Sequence, residues 1–147
     1  MKVEIRLQEG CPEPHVILVA DHMTRELESL VKLLSQDRST SLTGFQGSRA
    51  VLLEPERILR LYASQGKVLA RTAEGEDYVI RARLYELEER LAREEFVRIS
   101  NSELVNLRQI KGFDLSLTGT IRVALADGET TYVSRRYMGK IKERLGI

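Results

Sequence analysis

The sequence predicts a mainly β protein with few helices, in which short antiparallel sheets follow a small β-β-α N-terminal appendage. Three observations support this fold class. Beyond residue 48, short apolar segments alternate with glycine-containing turns such as Ser64-Gln65-Gly66 and Asp127-Gly128. Only two stretches of that region carry apolar residues at helical spacing. Before it, two extended patterns and one helical pattern precede a polar segment, which indicates a separate small unit.

The composition is that of an ordinary globular protein. The 147 residues are 42% apolar and 31% charged, with 3 prolines and no low-complexity tract. The longest apolar run, at 16–20, is far too short to span a membrane, and the N-terminus lacks a signal-peptide pattern, so we expect a cytoplasmic protein. A single cysteine, Cys11, excludes an intramolecular disulfide and makes a poor metal set with His15 and His22. No metal or cofactor is expected.

The net charge of +1 is unevenly distributed along the chain. Residues 1–97 carry 14 lysines and arginines against 17 acidic residues, whereas residues 98–147 carry 9 against 5. The C-terminal part is therefore the one expected to meet an anionic partner.

Residues 1–46 are assigned to the appendage. Residues 3–7 alternate apolar with polar side chains, which is the period of a half-buried strand, and residues 15–20 indicate a more fully buried strand. A unit of this size buries little surface, so it needs to pack against something else. We expect it to serve as a regulatory or dimerisation element.

A helix is expected after these two strands. Asp21 or Thr24 is its predicted cap, and it should end near Ser35. Its apolar residues recur at helical spacing: Leu27, Leu30, Val31 and Leu34. The polar segment 36–48 then indicates a boundary, and residues 47–147 are assigned to the main domain.

The main domain is expected to open with short strands joined by tight turns. The first covers residues 50–54 and ends there because Pro55 cannot donate to a sheet ladder. The next two strands flank the turn Ser64-Gln65-Gly66, and residues 78–80 form another strand after the turn Glu74-Gly75-Glu76. A short helix follows, with the apolar stripe Leu84, Leu87 and Leu91.

Two polar turns of this domain have both a structural and a functional interpretation. Residues 101–110 follow an extended segment at 96–100 and should hold a turn or a short helix. The candidate caps are Ser100, Asn101 and Ser102. Capping alone explains Asn101, but asparagine side chains also read adenine edges in DNA. The hairpin tip around Gln65 and Lys67 is, taken alone, an ordinary polar surface turn.

The chain is expected to end in a three-strand meander and a helix. Thr118-Gly119 and Asp127-Gly128 supply the turns of the meander. Ser134 is the predicted N-cap of the helix, which places Arg135 and Arg136 in its first turn, where cations cost about 0.3–1 kcal/mol each. The apolar face of the helix consists of Tyr137, Met138, Ile141 and Leu145, and the basic face of Arg136, Lys140 and Arg144. A solvated basic face explains this pattern, and so does an anion bound by the arginines.

A catalytic interpretation of the same stretch is weak. Ser134, Tyr137 and Lys140 resemble the Tyr/Lys groups of reductases only superficially, because no glycine-rich nucleotide loop precedes them. Neither histidine lies in a motif with a nucleophile. We therefore do not expect an enzyme.

Several motifs of the second half resemble the LytTR-type DNA-binding domain. They are an F-x-R-x-(x)-S start, a V-N-L-x-x-I segment, a hairpin closed by Asp-Gly and a V-S-R-R-Y run into the last helix. The matching residues are Phe96, Arg98, Ser102, Val105, Asn106, Leu107, Ile110, Asp127, Gly128, Val133, Ser134, Arg135, Arg136 and Tyr137. Residues 53–91 fit the opening strands and internal helix of the family less specifically, and the resemblance covers about residues 48–147.

The resemblance implies a β-rich domain that binds DNA mainly through loops set into successive major grooves. Three segments should contact bases and backbone. They are the hairpin tip with Gln65 and Lys67, the turn with Asn101 and Ser102, and the start of the final helix with Arg135, Arg136 and Lys140.

We therefore expect a bacterial-type transcriptional regulator that binds double-stranded promoter DNA at repeated half-sites as a homodimer. Most domains that look like this follow a receiver domain, but residues 1–46 are too few to form one. Short stand-alone members look like regulators paired with a membrane-embedded inhibitor protein, so such a partner is also expected. The alternative is a protein-interaction module whose basic C-terminal face binds an acidic partner.

Overall fold

The structure, a computed structural model, describes residues 1–11, 13–35 and 41–147. The chain divides into two compact units, Met1–Asp37 and Arg38–Ile147. In the described part of the chain, no helix is long and apolar enough to cross a bilayer.

The N-terminal unit contains the predicted helix, α1, Arg25–Ser35. Thr24 is its cap, because the Thr24 hydroxyl oxygen accepts a hydrogen bond from the backbone N–H of Leu27 at 3.1 Å. The two strands predicted at 3–7 and 15–20 do not form in residues 1–11 and 13–24, where no ladder is present. A strand needs a neighbouring backbone, and a period of two in one segment does not supply that neighbour. Of the predicted boundary segment 36–48, residues 36–40 lie outside the described residues.

Within residues 41–147 the second unit consists of two antiparallel sheets and two α-helices. The strands of the large sheet are β1 Leu42–Gln46, β2 Arg49–Leu53, β3 Ile58–Ser64, β4 Lys67–Thr72, β5 Asp77–Ile80, β6 Phe96–Ser100 and β7 Glu103–Asn106, in the spatial order β2-β1-β5-β4-β3-β7-β6. The small sheet contains β8 Ile110–Asp114, β9 Ile121–Leu125 and β10 Thr130–Val133, in the order β10-β9-β8. The helices are α2 Leu84–Arg90 and α3 Met138–Leu145. The mainly β fold predicted from the sequence is confirmed, as are the hairpins, the meander and both helices.

Strand β1 corrects the predicted boundary between residues 46 and 47. It pairs along its whole length with β2, from Leu42 opposite Leu53 to Gln46 opposite Arg49, and also with β5. Residues 42–46 therefore belong to the sheet and not to the appendage. Their pattern concealed this, because a glycine and two polar residues in five positions resemble a loop.

The segment 101–110 is the other clear difference. The prediction for this segment was a turn or a short helix. Asn101 and Ser102 form the turn, and strand β7 follows it directly. All four residues of β7 are buried, and β7 lies between β3 and β6. A strand buried on both faces lacks the polar/apolar alternation that identifies strands in a sequence. Helical character is limited to a 3₁₀ turn, Leu107–Gln109, capped by the side chain of Asn106.

Two apolar cores lie on opposite faces of the large sheet. The first, against α2, includes Leu61, Ala70, Tyr78, Leu87, Leu91, Phe96 and Leu104. The second, against the small sheet and α3, includes Ile99, Val105, Ile121, Val123, Val133 and Ile141. Leu104 and Val105 are neighbours in β7 and enter different cores, as the alternation of side chains along a strand requires. Strands β6 and β7 are therefore fixed from both sides.

We predict that Gly44→Ala lowers the free energy of unfolding by about 1–3 kcal/mol, as overpacking of a core does. Gly44 is buried in β1, and an added Cβ would lie 2.7 Å from both Leu53 Cδ1 and Tyr78 Cβ. Urea denaturation at neutral pH measures the change. Gly112→Ala in β8 is the matched control, because nothing lies within 4 Å of its added Cβ. Equal stability of Gly44→Ala and the control would contradict the prediction.

Candidate nucleic-acid interface

Two of the three segments expected to bind lie at the same end of the large sheet. Strands β3 and β7 are antiparallel, with Tyr62 opposite Glu103, so the end of β3 lies beside the start of β7. The backbone N–H of Ala63 donates to the carbonyl of Ser102 at 2.8 Å. The hairpin tip after β3 and the turn before β7 are therefore neighbours.

The third segment reaches the same place through two hydrogen bonds. The backbone N–H of Ser134 donates to the carbonyl of Ile99 at 2.8 Å. The Tyr137 hydroxyl donates to Oδ1 of Asn101 at 3.1 Å. These bonds hold the 3₁₀ turn Arg135–Tyr137 against the turn between β6 and β7. We call the three segments together, residues 64–67, 100–103 and 134–137, the loop end of the sheet.

The hairpin tip is a two-residue turn that projects from the sheet. Ser64 pairs with Lys67, and the two residues between them have positive φ, +50° at Gln65 and +75° at Gly66. Positive φ at both central positions is the type I′ geometry that matches the twist of a hairpin. The side chains of Gln65 and Lys67 are exposed on either side of Gly66.

Arg98 holds the backbone of the Asn101 turn. Its Nε donates to the carbonyl of Ser100 at 2.7 Å and its Nη2 to the carbonyl of Asn101 at 2.6 Å. Its third nitrogen, Nη1, pairs with Glu88 of α2 at 2.9 Å. The arginine side chain is only 14% exposed. The turn is thus rigid, while the side chains of Asn101 and Ser102 remain exposed.

The two adjacent arginines diverge. Arg135 lies along the β8–β9 loop, where a Cβ added to Gly119 would be 3.2 Å from Arg135 Nη2. The Arg136 guanidinium instead lies 5.9 Å from the ring centre of Tyr137, the residue bonded to Asn101. Both arginines are exposed.

The predicted terminal helix has its apolar face where expected. Ile141 is buried and Tyr137 is partly buried against the second core, whereas Lys140 is exposed. Ser134 occupies the N-cap position with extended backbone, but its side chain makes no capping hydrogen bond. The first turn is 3₁₀, and α3 begins only at Met138. Ser134 is therefore the N-cap by position and backbone, and its carbonyl, not its hydroxyl, accepts a hydrogen bond from the turn, donated by the Tyr137 N–H at 2.9 Å.

Behind the Asn101 turn, Glu103 is a buried carboxylate that joins the two sheets. Its Oε1 accepts a hydrogen bond from Arg60 Nη1 at 3.1 Å, and its Oε2 accepts one from the Thr131 hydroxyl at 2.7 Å. Thr131 lies in β10, the strand that leads to Arg135. The carboxylate therefore fixes the start of the final helix relative to the turn before β7.

The same ion network continues farther from the loop end, because Arg60 Nη2 also lies 3.5 Å from Oε2 of Glu129. Arg71 pairs with Asp77 at 2.7 Å and with Glu129 of the β9–β10 turn at 2.6 Å. Burial alone would raise the pKa of Asp77, but hydrogen bonds from Arg71 and Tyr62 and the charge of Arg71 outweigh it, so the pKa lies below the usual aspartate value.

This shift predicts a pH dependence of stability. An aspartate whose pKa is lowered in the folded state stabilises the fold above its unfolded pKa, about 3.9, and loses that effect as pH falls toward its folded value. Asp77→Asn should therefore cost roughly 1 kcal/mol at pH 7, and the difference from wild type should shrink below about pH 4. Urea titrations at pH 7 and pH 3.5 measure both values. A difference that is unchanged at pH 3.5 would exclude the charge as its cause.

Sequence reasoning missed the residues that position the loop end. Arg98 was named only as part of a family motif, and no role was predicted for Glu103. A signal existed for both, because each is a charged residue within a short, mostly apolar strand. A buried charge in that setting is normally paired. The partners, Glu88 and Thr131, come from distant parts of the chain and could not be read from the pattern.

The other candidate ligands lie in the N-terminal unit. The Cys11 sulfur is 4.0 Å from Nδ1 of His15. Among the described residues, no group of three or more histidine, cysteine, aspartate or glutamate side chains is arranged to hold a metal ion.

Comparison with known proteins identifies relatives of the whole chain. A family model described as the LytTr DNA-binding domain matches residues 48–146. An uncharacterised HTH-type transcriptional regulator of Staphylococcus aureus strain COL is 32% identical over 148 residues, covering 100% of this chain and 99% of the relative. Its counterpart in strain MRSA252 is 31% identical with the same coverage. Among solved structures, the LytTr DNA-binding domain of a protein described as a methyl-accepting/DNA response regulator from Bacillus cereus has a TM-score of 0.69 at 22% identity, covering 73% of this chain and 97% of that one.

Proposed function

The chain belongs to the LytTr DNA-binding domain family, and on that premise we propose that it is a sequence-specific transcriptional regulator that contacts promoter repeats. It places loops, not a recognition helix, in the major groove. The observation that carries this proposal is the convergence of residues 64–67, 100–103 and 134–137 at one end of the sheet. Exposed cations and an exposed asparagine gathered at one end can face a single duplex together.

We assign different roles to the two adjacent arginines. The Arg136 guanidinium lies 5.9 Å from the ring centre of Tyr137, whose hydroxyl donates to Asn101, and on this basis we assign Arg136 and Asn101 to the reading of base edges. Arginine pairs in a bidentate manner with guanine O6 and N7, and asparagine does so with adenine. Arg135 lies along the Gly119 loop and holds a phosphate.

The remaining predicted residues support these contacts. Lys67 and Lys140 are exposed cations that contact phosphates, which makes binding depend on salt. Gln65 projects from the hairpin tip, and Ser102 lies beside Asn101, so both can donate to the backbone or to a base edge.

Selection of bound sites from random duplex DNA tests the proposal. We expect the full chain to enrich a repeated motif and to shift it in a gel at physiological salt in the presence of excess competitor DNA. Recovery of no motif, with equal affinity for every duplex, would reject sequence-specific regulation. Retention on an acidic protein together with no DNA binding would favour the interaction module instead.

We also propose that the N-terminal unit joins two copies on repeated half-sites. Val3, Ile5 and Leu7 are each more than 80% exposed and alternate with Glu4 and Arg6. An antiparallel pair of these segments centred on Ile5 would place Glu4 opposite Arg6 of the second copy and bury the three apolar residues. Light scattering of wild type and Ile5→Asp tests this. A monomeric wild type, or an Ile5→Asp dimer, would reject it.

A membrane-embedded inhibitor is proposed as the source of control in the cytoplasm. The N-terminal unit, Met1–Asp37, has 37 residues and is small for a sensory domain. Deletion of a neighbouring membrane-protein gene should change the output of a promoter reporter. Unchanged output together with no co-purification would reject this partner.

A further inference from the structure

A basic cleft lies beside the hairpin tip and shares Gly66 and Lys67 with the segments that form the loop end. It has a volume of about 430 Å³, and its lining includes Lys67, Arg81, Arg83 and Glu86. The three cations are exposed, and Glu86 is the one carboxylate among the lining residues. The cleft therefore carries a surplus of positive charge.

Sheet register places this cleft in line with the loop end. Val68 of β4 is opposite Ile80 of β5, so Lys67 and Arg81 lie next to each other where the two strands meet that end. The strand order continues from β5 through β4, β3 and β7 to β6. The Asn101 turn joins β7 to β6, which lie three and four intervals of about 4.8 Å from β5, so the end of β5 lies about 14–19 Å from this turn.

The cations of the cleft are available to an external anion. Within the described residues, Lys67, Arg81 and Arg83 have no carboxylate within ion-pair distance, whereas Arg60, Arg71 and Arg98 do. The Arg81 guanidinium lies 3.8 Å from the ring centre of Phe45. Stacking on an aromatic ring orients a guanidinium without cancelling its charge.

We infer that Lys67, Arg81 and Arg83 bind backbone phosphates of the DNA duplex on the flank of the bases read by Asn101 and Arg136. This inference rests on the proposed function and extends its footprint. A separation of about 14–19 Å corresponds to roughly four to six base pairs at 3.4 Å per step. The cleft thus contacts backbone phosphates about half a helical turn from the bases that are read. These contacts add affinity without sequence preference.

The test compares two double variants that remove the same charge. Arg81→Ala/Arg83→Ala removes two of the three cations of the cleft, and Arg49→Ala/Lys111→Ala removes two exposed cations away from the loop end. Affinity for the selected site and for a scrambled duplex is measured from 50 to 200 mM salt. Each lost phosphate contact reduces the slope of log K against log salt by about 0.9, so the cleft variant should lose roughly 1.8 and the control close to none.

Hydroxyl-radical footprinting provides the second readout. The cleft variant should lose protection only on the flank, about five base pairs from the position whose preference Arg136 sets. Equal salt slopes and equal footprints of the cleft and control variants would overturn the inference. If the wild-type protein still binds its selected site in that case, the proposed function stands. Loss of affinity for one sequence only would overturn the phosphate assignment. Absence of wild-type binding to any duplex would overturn both.

The single variant Arg83→Glu keeps the test decisive if the double variant fails to fold. Arg83 precedes α2, and its charge reversal leaves the stacked pair of Arg81 and Phe45 in place. It should weaken binding to the selected and scrambled duplexes by the same factor, at least tenfold in 50 mM salt. Wild-type affinity of a folded Arg83→Glu protein would overturn the inference.

Discussion

Arg136→Ala should weaken binding to the selected DNA site by about 1–3 kcal/mol and relax the preference at one base pair. The physical reason is the loss of the bidentate contact to guanine that we propose for Arg136, whose guanidinium lies 5.9 Å from the ring centre of Tyr137. Titration of a set of duplexes, each altered at one position, measures both the affinity and the preference. The substitution should leave the stability of the fold almost unchanged, because the side chain is exposed.

Arg135→Ala is the matched comparison for this prediction. If Arg135 contacts a phosphate, all duplexes should lose the same factor of affinity, and the salt slope should fall by about 0.9. A uniform loss for Arg136→Ala, with a selective loss for Arg135→Ala, would reverse our assignment of the two arginines. Arg49→Ala, far from the loop end, should change neither quantity.

Arg98→Met should destabilise the fold by about 1.5–3 kcal/mol and weaken DNA binding beyond the loss of folded protein. The substitution removes the donors to the carbonyls of Ser100 and Asn101 and leaves Glu88 without its partner. Asn101 would then lose the rigid turn that presents its side chain. Urea denaturation measures the stability, and DNA titration at a temperature where the variant is folded measures the binding.

Arg122→Met is the control for an ion pair without a positioning role. Arg122 pairs with Asp114 at the same kind of distance, 2.7 Å, but its side chain is 45% exposed. Exposed ion pairs contribute about 0–1 kcal/mol to the free energy of unfolding, so this variant should lose little stability. Its affinity for DNA should be unchanged. An Arg98→Met protein with normal affinity when folded would show that the turn does not depend on the arginine.

Features that depend on local sequence were predictable. The turn Ser64-Gln65-Gly66 gave the β3–β4 hairpin, and Asp127-Gly128 gave the β9–β10 hairpin, because such turns are set by the conformations that glycine and its neighbour permit. The spacing of Leu84, Leu87 and Leu91 likewise indicated α2 and its buried face.

Features that depend on distant partners were not predictable in the same way. Strand β7 is buried on both faces, so its sequence carries no period of two. Strand β1 is identified by its partners β2 and β5, since its own residues resemble a loop. In the N-terminal unit a predicted strand is absent. Residues 3–7 alternate apolar and polar side chains as a strand does, but no neighbouring strand pairs with them in the described part of the chain.

The same distinction between local sequence and distant partners applies to the candidate site. Its seven residues were chosen by motif and chemistry, and the structure adds that the segments holding six of them, all but Lys140, meet at one end of a sheet. That meeting results from antiparallel pairing of β3 with β7 and from the bond between Tyr137 and Asn101. Arg81 was overlooked because its neighbour in the cleft, Lys67, is 14 residues away and only strand pairing brings them together.

Amide hydrogen exchange of the full chain, with and without the selected duplex, is the most direct test of the central claim that one end of the large sheet binds DNA. The account predicts that DNA slows exchange at residues 64–67, 100–103 and 134–137. It predicts no change at the β1–β2 turn, residues 46–49, or at the β9–β10 turn, residues 126–129, which lie away from that end. Slowed exchange at those two turns, with none at the loop end, would contradict the account.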